Sequence, residues 1–188
     1  KFPRYVSRGP TMNLCVKTKF AKLVKFDERL FVAQETDWGY RLSKYGKIRY
    51  VPTAIVYHYH RTTLWKFFKR MVTYGRYVPR VYLRHPTKLR GDHISRPIMM
   101  IEQYVFLILA LLVVLYPVHR NVLLPFMAFA TLLSLYTIDA LGVTKSVREV
   151  LEYYVIFIVR NVAFTVGLVL FVVDTVRRLI KGESAHNP

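Results

Sequence analysis

Three long apolar stretches fill the C-terminal half of the chain, and they constrain the fold more than any other feature of the sequence. The first, PIMMIEQYVFLILALLVVLYPV at residues 97–118, contains one acid, Glu102, and is long enough as a helix to cross the hydrocarbon core of a bilayer. The second covers residues 122–142, with Pro125 in its first turn, where a missing N–H is tolerated. Because the break between them is so short, the two segments predict an antiparallel hairpin of membrane helices.

The third stretch, residues 150–180, is also long enough to span a bilayer, but it contains the polar side chains Glu152, Arg160, Asn161 and Asp174. Two structures fit this pattern: a single tilted span, or an interfacial helix that ends near Arg160 and is followed by a short span. The sequence therefore predicts an α-helical transmembrane region over residues 97–188, with two or three helices near residues 98–118, 122–142 and 150–178.

Charge is distributed unevenly along the chain, whose formal net charge is +18 although 53% of its residues are hydrophobic. Residues 1–60 contain 12 Lys and Arg against 4 acids, residues 61–96 contain 10 against 1, and residues 97–188 contain 7 against 6. A soluble nucleic-acid-binding domain is excluded, since such a domain would not be so apolar. We expect the membrane as a partner, and no nucleic acid.

The basic residues of segment 61–96 lie directly before the first apolar stretch, and Lys and Arg beside a span are retained on the cytoplasmic side. We therefore expect a multi-pass protein of the cell membrane whose N-terminal part is cytosolic. Three spans would place Arg177, Arg178 and Lys181 on the opposite side, which the same rule disfavours. This conflict leaves the number of spans open.

Residues 62–80 have the pattern of a basic amphipathic helix, which Thr62 or Thr63 is suited to cap. Its apolar positions recur at helical spacing at Leu64, Phe68, Met71, Gly75 and Val78. The favoured interpretation is a helix in the headgroup region of the membrane, because the basic residues continue up to the first apolar stretch. The alternative is a core helix with a solvated basic face.

The first sixty residues indicate a short α/β unit. Thr36 is expected to cap a helix over residues 37–45. In the strand expected after this helix, the alternation of side chains puts His58 and His60 on one face, at the strand end. Carboxylates at a helix start and histidines at a nearby strand end are typical of a small active site.

The run from residue 13 to residue 60, with FDERLFVAQETDWGYRLSKYGKIRYVPTAIVYHYH at its centre, resembles the acceptor-binding half of inverting family-2 glycosyltransferases of the GT-A fold. An Asn-led strand, an FDE motif, an acidic element and a strand ending in His follow in order, and Tyr74-Gly75-Arg76 matches a helix that precedes membrane spans in that family. The resemblance implies the α/β class. A partial GT-A domain over residues 1–60 would precede an amphipathic interfacial segment over residues 61–96 and the transmembrane region over residues 97–188.

The resemblance also implies a catalytic role for the acidic element. The usual Glu-Asp pair falls on Gln34 and Glu35, so Glu35 takes the role of general base toward the acceptor hydroxyl. Asp37 is the alternative base, because Glu35 reaches one methylene further than the usual Asp. Both acids have structural interpretations as well, Asp37 as a helix-terminal charge paired i,i+4 with Arg41, and Glu35 as a solvated acid.

Metal and phosphate ligands are implied by the same resemblance. His58 or His60 would help to ligate the divalent cation, Mg²⁺ or Mn²⁺, that neutralises the leaving nucleoside diphosphate, although strand-end histidines are more often ordinary surface residues. The candidates for contact with the acceptor or with a phosphate are Arg41, Tyr74, Arg76 and Arg160. For Arg160 and Asn161 the alternative is an internal pair with Glu102 or Asp139.

The implied function is transfer of a hexose from a GDP- or UDP-linked donor, mannose being slightly favoured, to a polyprenyl phosphate or pyrophosphate acceptor at the cytosolic membrane face. The alternatives are a processive polysaccharide synthase, similar to cellulose or hyaluronan synthases, and a non-enzymatic membrane scaffold. The nucleotide-binding half of the GT-A fold would precede residue 13. The chain is therefore expected to be the downstream part of a longer enzyme and to transfer no sugar by itself.

Overall fold

The structure is a computed structural model that describes residues 4–59, 62–144 and 146–182, most of which are helical. The helices are α1 (Thr18–Leu23), α2 (Gln34–Leu42), α3 (Leu64–Arg84), α4 (Pro97–Val114), α5 (Tyr116–His119), α6 (Leu123–Leu141) and α7 (Val147–Ile180). Two short strands, β1 (Tyr5–Val6) and β2 (Ile48–Arg49), and two 3₁₀ turns, Thr11–Asn13 and Pro86–Arg90, complete the regular elements of the described residues.

The expected α/β unit is present only in part, because its sheet is limited in the described residues to the antiparallel pair of β1 and β2. The strand predicted to carry His58 is not formed: residues 54–59 have no regular secondary structure, and His60 lies outside the described residues. A strand needs a neighbour for its backbone N–H and C=O groups, and β1 is too short to provide one for this segment.

Helix α2 starts at Gln34, so the prediction of a helix over residues 37–45 with Thr36 as its N-cap is wrong in its boundaries. The N-cap is Ala33, whose backbone is left-handed at φ 59° and ψ 24°. The Thr36 hydroxyl is used elsewhere, since it accepts a hydrogen bond from Arg8 Nη1 at 3.2 Å. A tertiary contact has therefore replaced the local capping interaction that the sequence favours.

Helix α3 matches the predicted amphipathic helix, and its N-cap Thr63 accepts the backbone N–H of Lys66 at 3.3 Å. The helix continues through Pro79, whose missing N–H leaves the Gly75 carbonyl without its intrahelical bond. Its buried residues are Gly75, Val78, Pro79 and Val81, whereas Leu64 and Trp65 are exposed. The C-terminal part of α3 is thus packed as a core helix, and its position at a membrane surface stays a prediction.

Helices α3 and α7 touch through their backbones at Gly75 and Gly167. A Cβ atom on Gly75 would overlap the carbonyl group of Phe164, and one on Gly167 would overlap the carbonyl group of Val72. Small residues at a helix crossing permit this close approach. Helix α7 also runs without a break through Arg160, so the third apolar stretch is one continuous helix.

Helices α4 and α6 form the antiparallel hairpin that the sequence predicted. Arg96, directly before α4, and Asp139, near the end of α6, join the open ends of the hairpin in an ion pair of 2.7 Å between Nη2 and Oδ1. Helix α7 packs on the hairpin where its Phe157 meets Tyr136 of α6. Helices α4, α6 and α7 are each long and apolar enough to cross a membrane.

The glycine contact between α3 and α7 can be tested by adding one methyl group. Gly75→Ala is expected to lower the free energy of unfolding by about 1–3 kcal/mol, because the new Cβ has to push two helix backbones apart. Gly46→Ala is the matched control, since a Cβ on Gly46 meets no atom within 4 Å. Unfolding of both variants in the same detergent measures the effect, and a Gly75→Ala protein as stable as the wild type would contradict the backbone contact.

Candidate functional site

A cavity of about 1650 Å³ is lined both by the N-terminal part of the chain and by helices α3, α4 and α7. The N-terminal part contributes Glu35 and Thr36, and α7 contributes Arg160 and Phe164. The rest of the lining is mostly apolar. A space with a few polar groups on an otherwise apolar wall suits a ligand that has a polar head and an apolar body.

Glu35 lies in the first turn of α2, half-buried at the wall of this cavity. Within the described residues its carboxylate has no hydrogen-bond or ion-pair partner. Lys88 lines the same cavity and is buried. Burial, followed by the positive charge of Arg8, lowers the pKa of Lys88, while the negative charges of Asp92 and Glu35 oppose this shift. Glu35 therefore offers an acceptor oxygen to the cavity in the field of a neighbouring cation.

Asp37 is buried and lines a different hollow from this cavity. Its Oδ2 accepts a hydrogen bond from Arg41 Nε at 2.8 Å, which confirms the predicted i,i+4 pair, and Arg41 Nη2 also donates to the backbone carbonyl of Lys25. His85 Nε2 hydrogen-bonds Asp37 Oδ1 at 2.9 Å, and Arg84 Nη1 lies 3.7 Å from the same oxygen. Oδ1 of Asp37 thus holds α2 to the C-terminal end of α3, while Oδ2 is bound by Arg41 of α2 itself.

A buried ion cluster centred on Asp92 lies beside the cavity. Arg8 binds Asp92 in a bidentate manner, with Nε–Oδ2 at 2.7 Å and Nη2–Oδ1 at 3.0 Å. Lys88 Nζ donates to Oδ2 at 3.1 Å, and the Tyr40 hydroxyl donates to the same oxygen at 3.2 Å. The backbone N–H of Ser95 donates to Oδ1 at 2.7 Å. The carboxylate of Asp92 is therefore surrounded by donors from three separate segments of the chain.

The cluster fixes the protonation state of Asp92 as well as its position. Burial opposes ionisation of the carboxyl, but the hydrogen bonds from Arg8 and from the Ser95 N–H, together with the charges of Arg8 and Lys88, bring its pKa well below the usual range. No local sequence pattern predicts this cluster. One signal was available, because Asp92 is the one acid among the 10 Lys and Arg of residues 61–96.

The candidate phosphate-binding residues of α3 are not brought together. Tyr74 lines the cavity, and its hydroxyl accepts a hydrogen bond from Arg70 Nη2 at 2.9 Å. Arg76 instead forms a bidentate ion pair with Asp174 of α7, with Nε–Oδ2 at 2.7 Å and Nη2–Oδ1 at 3.1 Å, and it lies outside the cavity. Tyr74 and Arg76 therefore do not form one phosphate site.

Arg160 reaches the cavity from α7, but its guanidinium forms an ion pair with the buried Glu102 of α4. The neighbouring Asn161 donates a hydrogen bond to the hydroxyl of Tyr136 in α6. The sequence left open whether Arg160 faces a lipid phosphate or pairs internally. The structure shows the internal pair, with Glu102 rather than Asp139 as the partner.

Of the two candidate metal ligands, only His58 belongs to the described residues. His58 is exposed in the irregular segment after β2, and His60 lies outside the described residues. In the ranges that the structure describes, no group of three or more His, Cys, Asp or Glu side chains is placed to hold a metal ion. One histidine does not hold a divalent cation by itself, so the metal-binding role of His58 and His60 stays a prediction.

Comparison with known proteins shows partial similarity to a glycosyltransferase. The chain is 33% identical over 76 residues to the pre-mycofactocin glycosyltransferase of Mycobacterium tuberculosis, in strains CDC 1551 / Oshkosh and ATCC 25618 / H37Rv. The match covers 40% of this chain and 16% of each relative, so the chain spans only a small part of the length of these proteins. No protein-family model and no solved structure matches the chain.

The Asp92 cluster predicts a pH-dependent stability. Asp92→Asn is expected to lower the free energy of unfolding by about 3–5 kcal/mol at pH 7, because Arg8 and Lys88 would be left buried without their counter-charge. The pKa of Asp92 is lower in the folded than in the unfolded state. Its stabilisation is therefore complete above the unfolded-state pKa of about 4 and is lost as the pH falls toward the folded-state pKa.

Denaturant unfolding at pH 7 and at about pH 2 measures this dependence, and the difference between wild type and Asp92→Asn is expected to shrink at the lower pH. Glu152→Gln is the control, because it removes an ion pair whose partners Arg148 and Glu152 are 89% and 61% exposed. We expect that control to change stability by less than about 1 kcal/mol. A difference for Asp92→Asn that stays constant with pH would contradict the cluster.

Proposed function

We propose that this chain is the acceptor-side and membrane part of a membrane-bound glycosyltransferase. The enzyme would transfer a sugar from a GDP- or UDP-linked donor to a lipid-linked acceptor, with inversion at the anomeric carbon. Two findings support the general class: the partial similarity to a mycobacterial glycosyltransferase and the presence of three helices long and apolar enough to span a membrane.

The position of Glu35 is the observation that carries the proposal. Its carboxylate opens into a cavity whose wall also includes Phe164, Leu168 and Phe171 of the apolar helix α7. An acceptor that consists of a sugar or phosphate head on a hydrocarbon chain needs both surfaces, a polar one for the head and an apolar one for the chain. The cavity offers both next to a carboxylate.

In the proposed reaction Glu35 is the general base. Its carboxylate accepts the proton of the acceptor hydroxyl while the oxygen of that hydroxyl forms a bond to the anomeric carbon of the donor sugar. The bond from this carbon to the nucleoside diphosphate breaks on the opposite face, and the diphosphate leaves with the bonding electron pair. Lys88 lines the same cavity and places a positive charge near the carboxylate that accepts the proton.

The contacts of Asp37 support a structural role for this second acid. Its two oxygens are engaged by Arg41 and His85, and it lies outside the cavity. A base has to reach the acceptor hydroxyl, and a buried carboxylate in an ion pair does not. We further propose that the nucleotide and its divalent cation, Mg²⁺ or Mn²⁺, bind mainly to a part of the enzyme that corresponds to the region of the relatives outside the 76 matched residues. We also propose that the part of the protein that contains Glu35 is cytosolic.

The role of Glu35 is tested by Glu35→Gln in the full-length protein. Transfer of the sugar is expected to fall by about 10²-fold or more, because the amide cannot accept the proton, while binding of the nucleotide-sugar donor is unchanged. Glu28→Gln is the matched control, since Glu28 is an exposed acid on the segment before α2. Turnover of Glu35→Gln at the wild-type rate would reject Glu35 as the base.

Asp37→Asn is expected to lower the stability of the protein and to leave its turnover nearly unchanged, the opposite of what we expect for Glu35→Gln. It should lower the free energy of unfolding by about 1–3 kcal/mol, because it weakens the bonds from Arg41 and His85 to a buried carboxylate. Turnover per folded molecule should stay within a few-fold of the wild type. Thermal unfolding and initial rates on the same preparation separate the two effects, and a stable Asp37→Asn protein with no turnover would transfer the role of base to Asp37.

A further inference from the structure

A second groove, of about 250 Å³, lies where the C-terminal parts of α3 and α7 meet. In the described part of the chain it is lined by five cationic side chains, one carboxylate and one tyrosine: Arg76, Arg80, Arg177, Arg178, Lys181, Asp174 and Tyr77. None of these residues lines the larger cavity that contains Glu35. The groove is thus a separate, strongly positive site that the proposed catalytic role does not use.

The single carboxylate in the groove does not neutralise the positive charge of the five cationic side chains. Both oxygens of Asp174 are bound by Arg76, at 2.7 Å and 3.1 Å. Among the described residues, the lining of the groove therefore has five cationic side chains against one carboxylate, a formal excess of positive charge. Such an excess in one small concavity attracts an anion with several acceptor oxygens, and guanidinium groups match the geometry of phosphate.

Arg80 shows that these positive charges act on one another. It is half-buried, and burial, followed by the positive charge of Arg178, lowers its pKa. The centroid of the Tyr77 ring lies 5.4 Å from the Arg80 guanidinium carbon and 5.7 Å from that of Arg76, within the range of a cation–π contact for both side chains. A bound anion between α3 and α7 would relieve the repulsion between Arg80 and Arg178.

The surroundings of the groove indicate a lipid as the source of the anion. On α7, the side chains of Val173, Val176 and Leu179 are interleaved with the basic residues and are exposed. The groove therefore opens at the edge of an apolar helix surface of the length and composition that a membrane span has. A phosphate attached to hydrocarbon chains satisfies both surfaces, whereas a free phosphate satisfies only the groove.

We propose that the groove between α3 and α7 is a binding site for the phosphate headgroup of an anionic phospholipid. Arg80 and Arg178, one from each helix, hold the phosphate oxygens, and the acyl chains lie on the exposed valine and leucine side chains of α7. The site goes beyond the proposed transferase function and does not depend on it, because lipid binding is measured without sugar transfer.

The test compares two double variants of the full chain in detergent, titrated with phosphatidylglycerol and followed by native mass spectrometry. Arg80→Gln with Arg178→Gln is expected to raise the dissociation constant for this lipid by roughly tenfold or more. The matched control is Lys66→Gln with Arg148→Gln, which removes the same charge from exposed positions of the same two helices. We expect the control to bind phosphatidylglycerol as the wild type does, and wild-type binding of phosphatidylcholine to be much weaker.

Asp174→Asn provides a test in the opposite direction, in case the loss of two arginines disturbs folding. It releases Arg76 from its ion pair, so binding of phosphatidylglycerol is expected to become tighter, which a merely structural role of the cluster would not produce. Equal weakening by both double variants, or no gain with Asp174→Asn, would overturn the site. Displacement of the lipid by soluble glycerol phosphate at the same concentration would overturn the assignment to a lipid.

Discussion

The ion cluster around Asp92 is the interaction on which the position of the candidate site depends. Its partners Arg8 and Lys88 are buried with it, and buried charges are tolerated only when they neutralise one another within the fold. Arg8 comes from the N-terminal segment and also binds Thr36 of α2, whereas Asp92 lies just before α4. The cluster therefore fixes α2, and with it Glu35, against the segment that leads into α4, a helix long and apolar enough to cross a membrane.

A second constraint, the glycine contact between α3 and α7, decides which charges meet. Because the backbones touch at Gly75 and Gly167, the side chain of Arg76 reaches Asp174, and Arg80 lies close enough to Arg178 for their charges to interact. Three spans would place the basic end of α7 on the opposite side of the membrane from α3, which the positive-inside rule disfavours. In the structure the two basic groups line one groove, so they share a side of the molecule.

The parts of the fold that follow from local sequence were predictable. The hydrophobic pattern indicated α3, α4, α6 and α7, the capping preference indicated Thr62 or Thr63, of which Thr63 is the N-cap, and the i,i+4 spacing indicated the pair of Asp37 and Arg41. The parts that depend on distant partners were not. The strand expected before His60 has no neighbour of sufficient length, and Arg8 and Asp92 are 84 residues apart in sequence, a pairing that no local pattern encodes.

Glu35 and Asp37 are similar acids of one short helix, but their side chains point in different directions. Residues two apart in an α-helix are separated by about 200° around its axis, so they cannot face the same ligand. Asp37 faces Arg41 of the same helix and His85, and its bond to His85 holds α2 to the end of α3. Glu35 then necessarily faces away from these partners, and in this structure that direction is the cavity with Lys88. The ion pair of one acid thereby leaves the other exposed to the space where an acceptor would bind.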